Sequence, residues 1–150
     1  MMMVSNSRNR HYSLLITDDD EGCRYSLKNI FEPSGYITHL ASCGREAIEI
    51  ARTELLHALI LDMHLPDIGG VETFRVIKKE VKGILPCIFI SGDLSRELKL
   101  DALSVDAFTV IPKPINIEMM RFTMEQLIER YYWRKNVLRT KERGRRHDEY

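Results

Sequence analysis

Short apolar segments and amphipathic segments take turns along this chain five times between Tyr12 and Ile128, and that alternation limits the fold more than any other feature. Tyr12 to Thr17, Tyr36 to Ala41, Ala58 to Asp62, Pro86 to Ile90 and Ala107 to Ile111 are short, β-prone and largely apolar. The stretches after them carry apolar residues at helical spacing: Cys23, Leu27, Ile30 and Phe31; Ala47, Ile48, Ala51 and Leu55; Val71, Phe74 and Ile77; Leu98 and Leu103; Met120, Met124, Leu127 and Ile128. Pro33-Ser34-Gly35 stops the first helix, Gly44 opens the second, Ser95 caps the fourth, and the fifth starts near Asn116 with room to continue past Trp133. Apolar strands alternating with helices imply an α/β fold, a doubly wound five-stranded parallel sheet with five helices and right-handed crossovers. Ligands of such sheets bind beyond the carboxyl ends of the strands, where the strand order reverses.

Composition agrees with one such domain. At 150 residues, 44% apolar and 29% charged, the chain has one core's worth of material, enough to bury about two thirds of its unfolded surface. No apolar run approaches the roughly 20 residues that cross a bilayer, and Met1 to Tyr12 holds Arg8 and Arg10 without an apolar signal core. A cytoplasmic protein with no membrane contact is expected. Cys23, Cys43 and Cys87 are odd in number and lack metal-ligand spacing, so reduced thiols are the default. The zero net charge conceals a split: residues 134–150 hold seven Lys/Arg against three Asp/Glu, leaving 15 against 19 in residues 1–133. Three parts follow: a flexible polar lead over 1–11, the domain over 12–133, and a basic extension over 134–150.

Chemistry gathers where the strands end. Asp18-Asp19-Asp20-Glu21 follows the first, Asp62 closes the third before a turn rich in Pro and Gly, Ser91 closes the fourth and Lys113 follows the fifth. Each has an ordinary reading beside the functional one. An acid run is usually a solvated loop, Asp62 can simply cap its own turn, Ser91 can be a turn residue, and Lys113 can be a surface lysine lying along apolar neighbours. Taken together they read as a phosphoryl site. A carboxylate at Asp62 can attack phosphorus and hold an aspartyl phosphate. Asp18, Asp19 and Asp62 bring three negative charges, and one Mg²⁺ with Lys113 balances them, with Mg²⁺ preferring such oxygen ligands.

These motifs, in this order, make the chain similar to the response-regulator receiver domain, the phosphoacceptor module of two-component signalling. They are the acid cluster, Leu-Asp-Met-His-Leu-Pro-Asp-Ile-Gly-Gly from Leu61, Ile-Ser-Gly from Ile90 and Lys-Pro from Lys113. The resemblance implies a flavodoxin-like fold of receiver type with an extended final helix. It implies Asp62 as nucleophile, Lys113 on a phosphoryl oxygen and Ser91 as the hydroxyl that senses it. It further implies Mg²⁺ held by Asp18, Asp19, Asp62 and the carbonyl of His64, with Asp18 acting largely through water and Asp20 a competing choice of register. The Lys113-Pro114 bond is expected to be cis. The chemistry would be Mg²⁺-dependent phosphorylation and dephosphorylation of the protein itself. Partners would be a histidine kinase or histidine phosphotransfer protein upstream. Downstream, a protein would dock on the face of the fourth helix, fifth strand and fifth helix, and a homodimer is a further expectation.

Departures from the family pattern carry expectations of their own. Val110 stands where an aromatic switch residue is common, so either Phe108 substitutes from two residues earlier or the switch is absent. Gly69 replaces a frequent acid or amide and is expected to loosen the turn. His64 either hydrogen-bonds the phosphoryl group or faces solvent, and it has no Cys or second His nearby to make a metal site of its ring. The basic extension is too short for an effector domain, which suggests a stand-alone receiver. Tyr131-Tyr132-Trp133 should pack in part against the domain or a partner. Two rivals remain: a small Mg²⁺-dependent haloacid-dehalogenase-like phosphatase using Asp18, whose motif fails at Gly22, and a nucleic-acid binder working through the basic extension, over which a solvated extension is favoured.

Overall fold

The computed structural model describes residues 12–133. Five parallel strands, β1 (Ser13–Thr17), β2 (Ile37–Ala41), β3 (Ala58–Asp62), β4 (Cys87–Ser91) and β5 (Thr109–Pro112), form one sheet in the order β2-β1-β3-β4-β5. Helices α1 (Glu21–Phe31), α2 (Gly44–Thr53), α3 (Gly70–Glu80), α4 (Arg96–Ser104) and α5 (Ile117–Ile128) fill the connections and the C-terminal side. The chain runs outward from β1 to β2, then crosses to β3 on the other side of β1. The reversal falls between β1 and β3, and it places the ends of those two strands at the crevice.

Strand alternation sorts the core into two layers. Leu14, Ile16, Ile60, Ile88, Ile90 and Ile111 face α1 and α5, meeting Leu27, Phe31, Met120, Met124 and Leu127. Leu15, Leu59, Leu61, Cys87 and Phe89 face the opposite side, meeting Ala47, Phe74, Ile77 and Ala102. Burying one such Leu, Ile or Phe side chain stabilises by about 1.5–3 kcal/mol. A one-residue slip of β3 would move its Leu59, Ile60 and Leu61 to the wrong layers, so the register that delivers Asp62 to the edge is firmly set.

Local signals account for most boundaries. Ser95 and Asn116 cap α4 and α5 by accepting from the N–H groups of Leu98 and Met119, and Gly35, at φ 95°, ends the short helical turn Glu32–Ser34 after α1. Three expectations need correction. Leu55 is 79% exposed, because α2 ends at Thr53 and Leu56 turns inward in its place. Leu103 is 69% exposed, because the inward stripe of α4 is Leu98, Ala102 and Val105. The fifth strand begins at Thr109, later than Ala107, since Asp106 takes a positive φ of 57° and Ala107 N–H returns to Ala102 carbonyl.

A π-helical turn, Glu129–Trp133, follows α5. Tyr132 packs with Tyr12 and His57 at the amino edge of the sheet, its hydroxyl donating to His57 carbonyl at 2.5 Å. Tyr131 meets Phe108, and Trp133 is 42% exposed, so the aromatic triplet packs in part, as expected. The polar lead and the basic extension lie outside the described residues, as does any continuation of the helix past Trp133.

Candidate functional site

Because Thr17 lies opposite Leu61 in the ladder, Asp18 and Asp62 leave the sheet side by side. Both are buried, Asp18 completely. Lys113 reaches back from beyond β5, anchored by its own N–H on Ser91 carbonyl at 2.8 Å. Its ammonium lies 2.8 Å from Asp18 Oδ2 and 2.8 Å from Asp62 Oδ2. Asp19 is exposed at the rim, yet it, Asp18 and Asp62 each offer an oxygen within 4.8 Å of the others. Four residues separated by up to 95 positions in sequence thus meet in one acidic pocket, with the Lys113-Pro114 bond cis.

The remaining oxygens are each positioned. Asp18 Oδ1 accepts Asp20 N–H at 2.9 Å, and Asp18 carbonyl accepts from Arg24 Nη1 at 2.7 Å. Asp62 Oδ1 accepts His64 N–H at 2.9 Å, so the turn-capping reading of Asp62 is true of one oxygen while the other serves the pocket. Asp20 is withdrawn, its carboxylate capping α1 through Cys23 N–H at 3.0 Å, which leaves Asp18 and Asp19 as the pair in the pocket. The His64 side chain is exposed. Ser91 is fully buried at the same edge, but its hydroxyl turns into its own loop, donating to Asp93 carbonyl at 2.7 Å and accepting Asp93 N–H at 3.0 Å. The structure therefore groups Asp18, Asp19, Asp62 and Lys113, and sets Ser91 beside them facing away.

Electrostatics follow from burial against pairing. Burial pushes the Asp18 carboxyl up, but bonds from the Cys23 thiol and Asp20 N–H together with the positive charge of Lys113 outweigh it, and the group titrates below its ordinary range. At Asp62 burial prevails over Lys113 and His64 N–H, and the carboxyl is raised. Burial works against charge on Lys113, yet the two carboxylates more than compensate and hold its pKa above normal. Asp18 Oδ2 is buried and receives no hydrogen bond, its contact with Lys113 being an ion pair alone. An unsatisfied buried oxygen beside two further carboxylates is a hard-oxygen donor set, and it fits Mg²⁺.

Several contributors lie beyond what the sequence analysis named. Cys23 presents its thiol to Asp18, and burial followed by that bond pushes the thiol up to about 12, leaving it protonated. Arg24, Asp93 and Asp67 also hold the site or its loops. Cys23 and Arg24 lie in the first turn of α1, five and six residues after Asp18, a spacing that no helical-neighbour rule singles out. Gly69 takes a φ of 64°, which favours glycine, and its carbonyl accepts both Thr73 N–H at 3.1 Å and Thr73 Oγ1 at 2.6 Å. One expectation on β5 is corrected. Phe108 does not substitute for Val110: it precedes β5 and packs against the α5 layer and Tyr131, whereas Val110 faces the other layer.

The model of the response regulator receiver domain matches residues 14–125. The chain belongs to this family. Among relatives, this receiver is 30% identical over 117 residues to the response regulator MprA of Mycobacterium ulcerans (strain Agy99), covering 78% of this chain and 50% of that protein. The receiver thus spans about half the length of the curated relatives it matches. A CheY-like receiver from Methanospirillum hungatei JF-1 superposes with TM-score 0.72 at 29% identity, covering 79% of this chain and 94% of that one. The CheX-CheY-BeF3-Mg complex of Borrelia burgdorferi gives TM-score 0.73 at 25% identity, covering 78% and 89%. The five-stranded parallel architecture is the flavodoxin-like, CheY-type receiver fold. Receivers of this family generally bind Mg²⁺ at an acidic pocket, and a cluster of three aspartates, Asp18, Asp19 and Asp62, is present here. Among the described residues no helix is long and apolar enough to cross a membrane.

Proposed function

We propose that this receiver accepts a phosphoryl group on Asp62 and passes the event on through a face of the molecule distant from it. The observation that carries the proposal is the ammonium of Lys113, 2.8 Å from both Asp62 and Asp18 with Asp19 at the rim. An Asp62 oxygen attacks phosphorus, an acyl-phosphate bond forms, and the bond from phosphorus to the donor breaks, with the electron pair leaving on the donor. With a histidine kinase or phosphotransfer protein as donor, the leaving atom is an imidazole nitrogen. Water later attacks phosphorus and returns Asp62 as a carboxylate.

Asp18, Asp19, Asp62 and the carbonyl of His64 would hold Mg²⁺. The ion supplies charge neutralisation at the phosphoryl oxygens and so permits an anion to meet a carboxylate. The Borrelia complex, with BeF3 and Mg named together, supports this reading. Lys113 exchanges its Asp62 contact for a phosphoryl oxygen, as a compact cation on a long stem suits. Ser91 gives up the Asp93 carbonyl and donates to the phosphoryl group, drawing the β4–α4 loop inward. Leu100, Leu103 and Phe122, each more than half exposed on α4 and α5, support that α4-β5-α5 face as the surface a protein partner reads.

A phosphatase using Asp18 is not favoured, since its nucleophile motif breaks at Gly22. Incubation with acetyl phosphate and Mg²⁺ tests the proposal. The intact mass should rise by one phosphoryl group, and a chelator or Lys113→Ala should prevent or uncouple this. A mass gain indifferent to the chelator would refute it.

A further inference from the structure

The acid pocket rests on a loop that is tied to a helix it does not adjoin in sequence. Helix α2 opens at Gly44 without a cap of its own, since Cys43 supplies no side-chain hydrogen bond. The cap comes from Asp67, 23 residues further on: Oδ1 accepts Gly44 N–H at 2.8 Å and Oδ2 accepts Arg45 N–H at 2.8 Å. A carboxylate spanning two orphan N–H groups is a charge-assisted, bidentate clamp at the positive end of a helix.

That clamp holds the middle of the Met63 to Gly70 loop, whose ends are held as well. Gly70 N–H donates to Met63 carbonyl at 3.0 Å, and a side chain at Gly70 would place its Cβ 2.2 Å from Asp62 carbonyl oxygen. At the near end His64 N–H fixes Asp62 Oδ1. The loop therefore cannot shift without turning the Asp62 carboxylate, and its His64 carbonyl is in the proposed ligand set.

We infer that Asp67 is a positioning residue for the phosphoryl site, setting the orientation of Asp62 and of the His64 carbonyl by locking their loop to the N-terminus of α2. The inference rests on the proposed function for its metal. Outer groups that orient metal ligands are worth about 10–100-fold in metal affinity.

Calorimetric titration of the full chain with MgCl₂ tests it. Asp67→Ala should weaken Mg²⁺ binding about tenfold, and Asp67→Asn, which keeps one acceptor oxygen, should lie between it and the parent. Asn116→Ala removes a helix cap of the same kind from α5, where Asn116 accepts Met119 N–H at 2.9 Å. It should lower the melting temperature and leave Mg²⁺ binding unchanged. Asp67→Ala binding Mg²⁺ as the parent does, or Asn116→Ala losing as much, would overturn the inference. If Asp67→Ala does not fold, the Asp67→Asn titration decides alone, with parental affinity counting against. A parent chain that binds no Mg²⁺ would instead overturn the proposed function.

Discussion

Two loops border the acid pocket, and they are built in opposite ways. The β3–α3 loop, from Met63 to Gly69, is tied to other elements at both ends and in the middle, through Gly70, Thr73 and Asp67. The β4–α4 loop, from Gly92 to Ser95, is held by bonds within itself: Ser91 with Asp93, and Asp93 Oδ1 with Ser95 N–H at 2.9 Å. Glycine makes the contrast plain, since an added Cβ at Gly70 strikes backbone at 2.2 Å while one at Gly92 meets nothing within 4 Å. A phosphoryl site needs both kinds of wall. The nucleophile and its metal ligands must not move, and the loop that reports the new charge must be able to.

Substitutions can break or sharpen that contrast. The largest effect is expected from Gly70→Ala, which forces the backbone apart in a packed region and should cost about 2 kcal/mol or more in urea unfolding. Ser91→Ala removes the hydroxyl that closes the β4–α4 loop and should cost about 1 kcal/mol. It should leave phosphoryl acceptance intact while abolishing the conformational response, as amide chemical shifts of α4 and β5 would show.

The clamp gives a smaller effect with a pH signature. Burial opposes charge on Asp67, but the Arg45 and Gly44 N–H groups win and hold its carboxyl down at about 2. The unfolded carboxyl takes up its proton near 3.8, before the folded one does. The contribution is therefore complete above that value and disappears as pH falls toward about 2. Melting temperatures of the parent and Asp67→Asn should differ at pH 7 and converge below pH 3, and a constant gap would show that charge on Asp67 does not matter. Smallest of all is Gly92→Ala, expected within about 0.5 kcal/mol of the parent. A loss comparable to Gly70→Ala would show that the β4–α4 loop is as tightly built as its neighbour.

Sequence reasoning reached furthest where a local pattern has a global consequence. Apolar strands alternating with amphipathic helices imply a parallel sheet, a parallel sheet implies converging strand ends, and Asp18, Asp19, Asp62 and Lys113 do converge. It stopped short at contacts between residues distant along the chain. Nothing near Asp67 signals that its oxygens cap a helix that starts 23 residues earlier, and nothing near Ser91 says which way its hydroxyl turns. Periodicity misplaced Leu55 and Leu103 for a simpler reason: a helical stripe holds only to the helix end, and on α4 the stripe runs through Leu98 and Ala102 and leaves Leu103 outside it. Phe108 misled in the same way, because the strand starts after it.

The most direct measurement is the identity of the phosphorylated residue. After exposure to acetyl phosphate and Mg²⁺, borohydride reduction and peptide mass spectrometry should mark Asp62 alone, and Asp62→Asn should remove the mark. A mark on Asp18, or one that survives Asp62→Asn, would contradict the account.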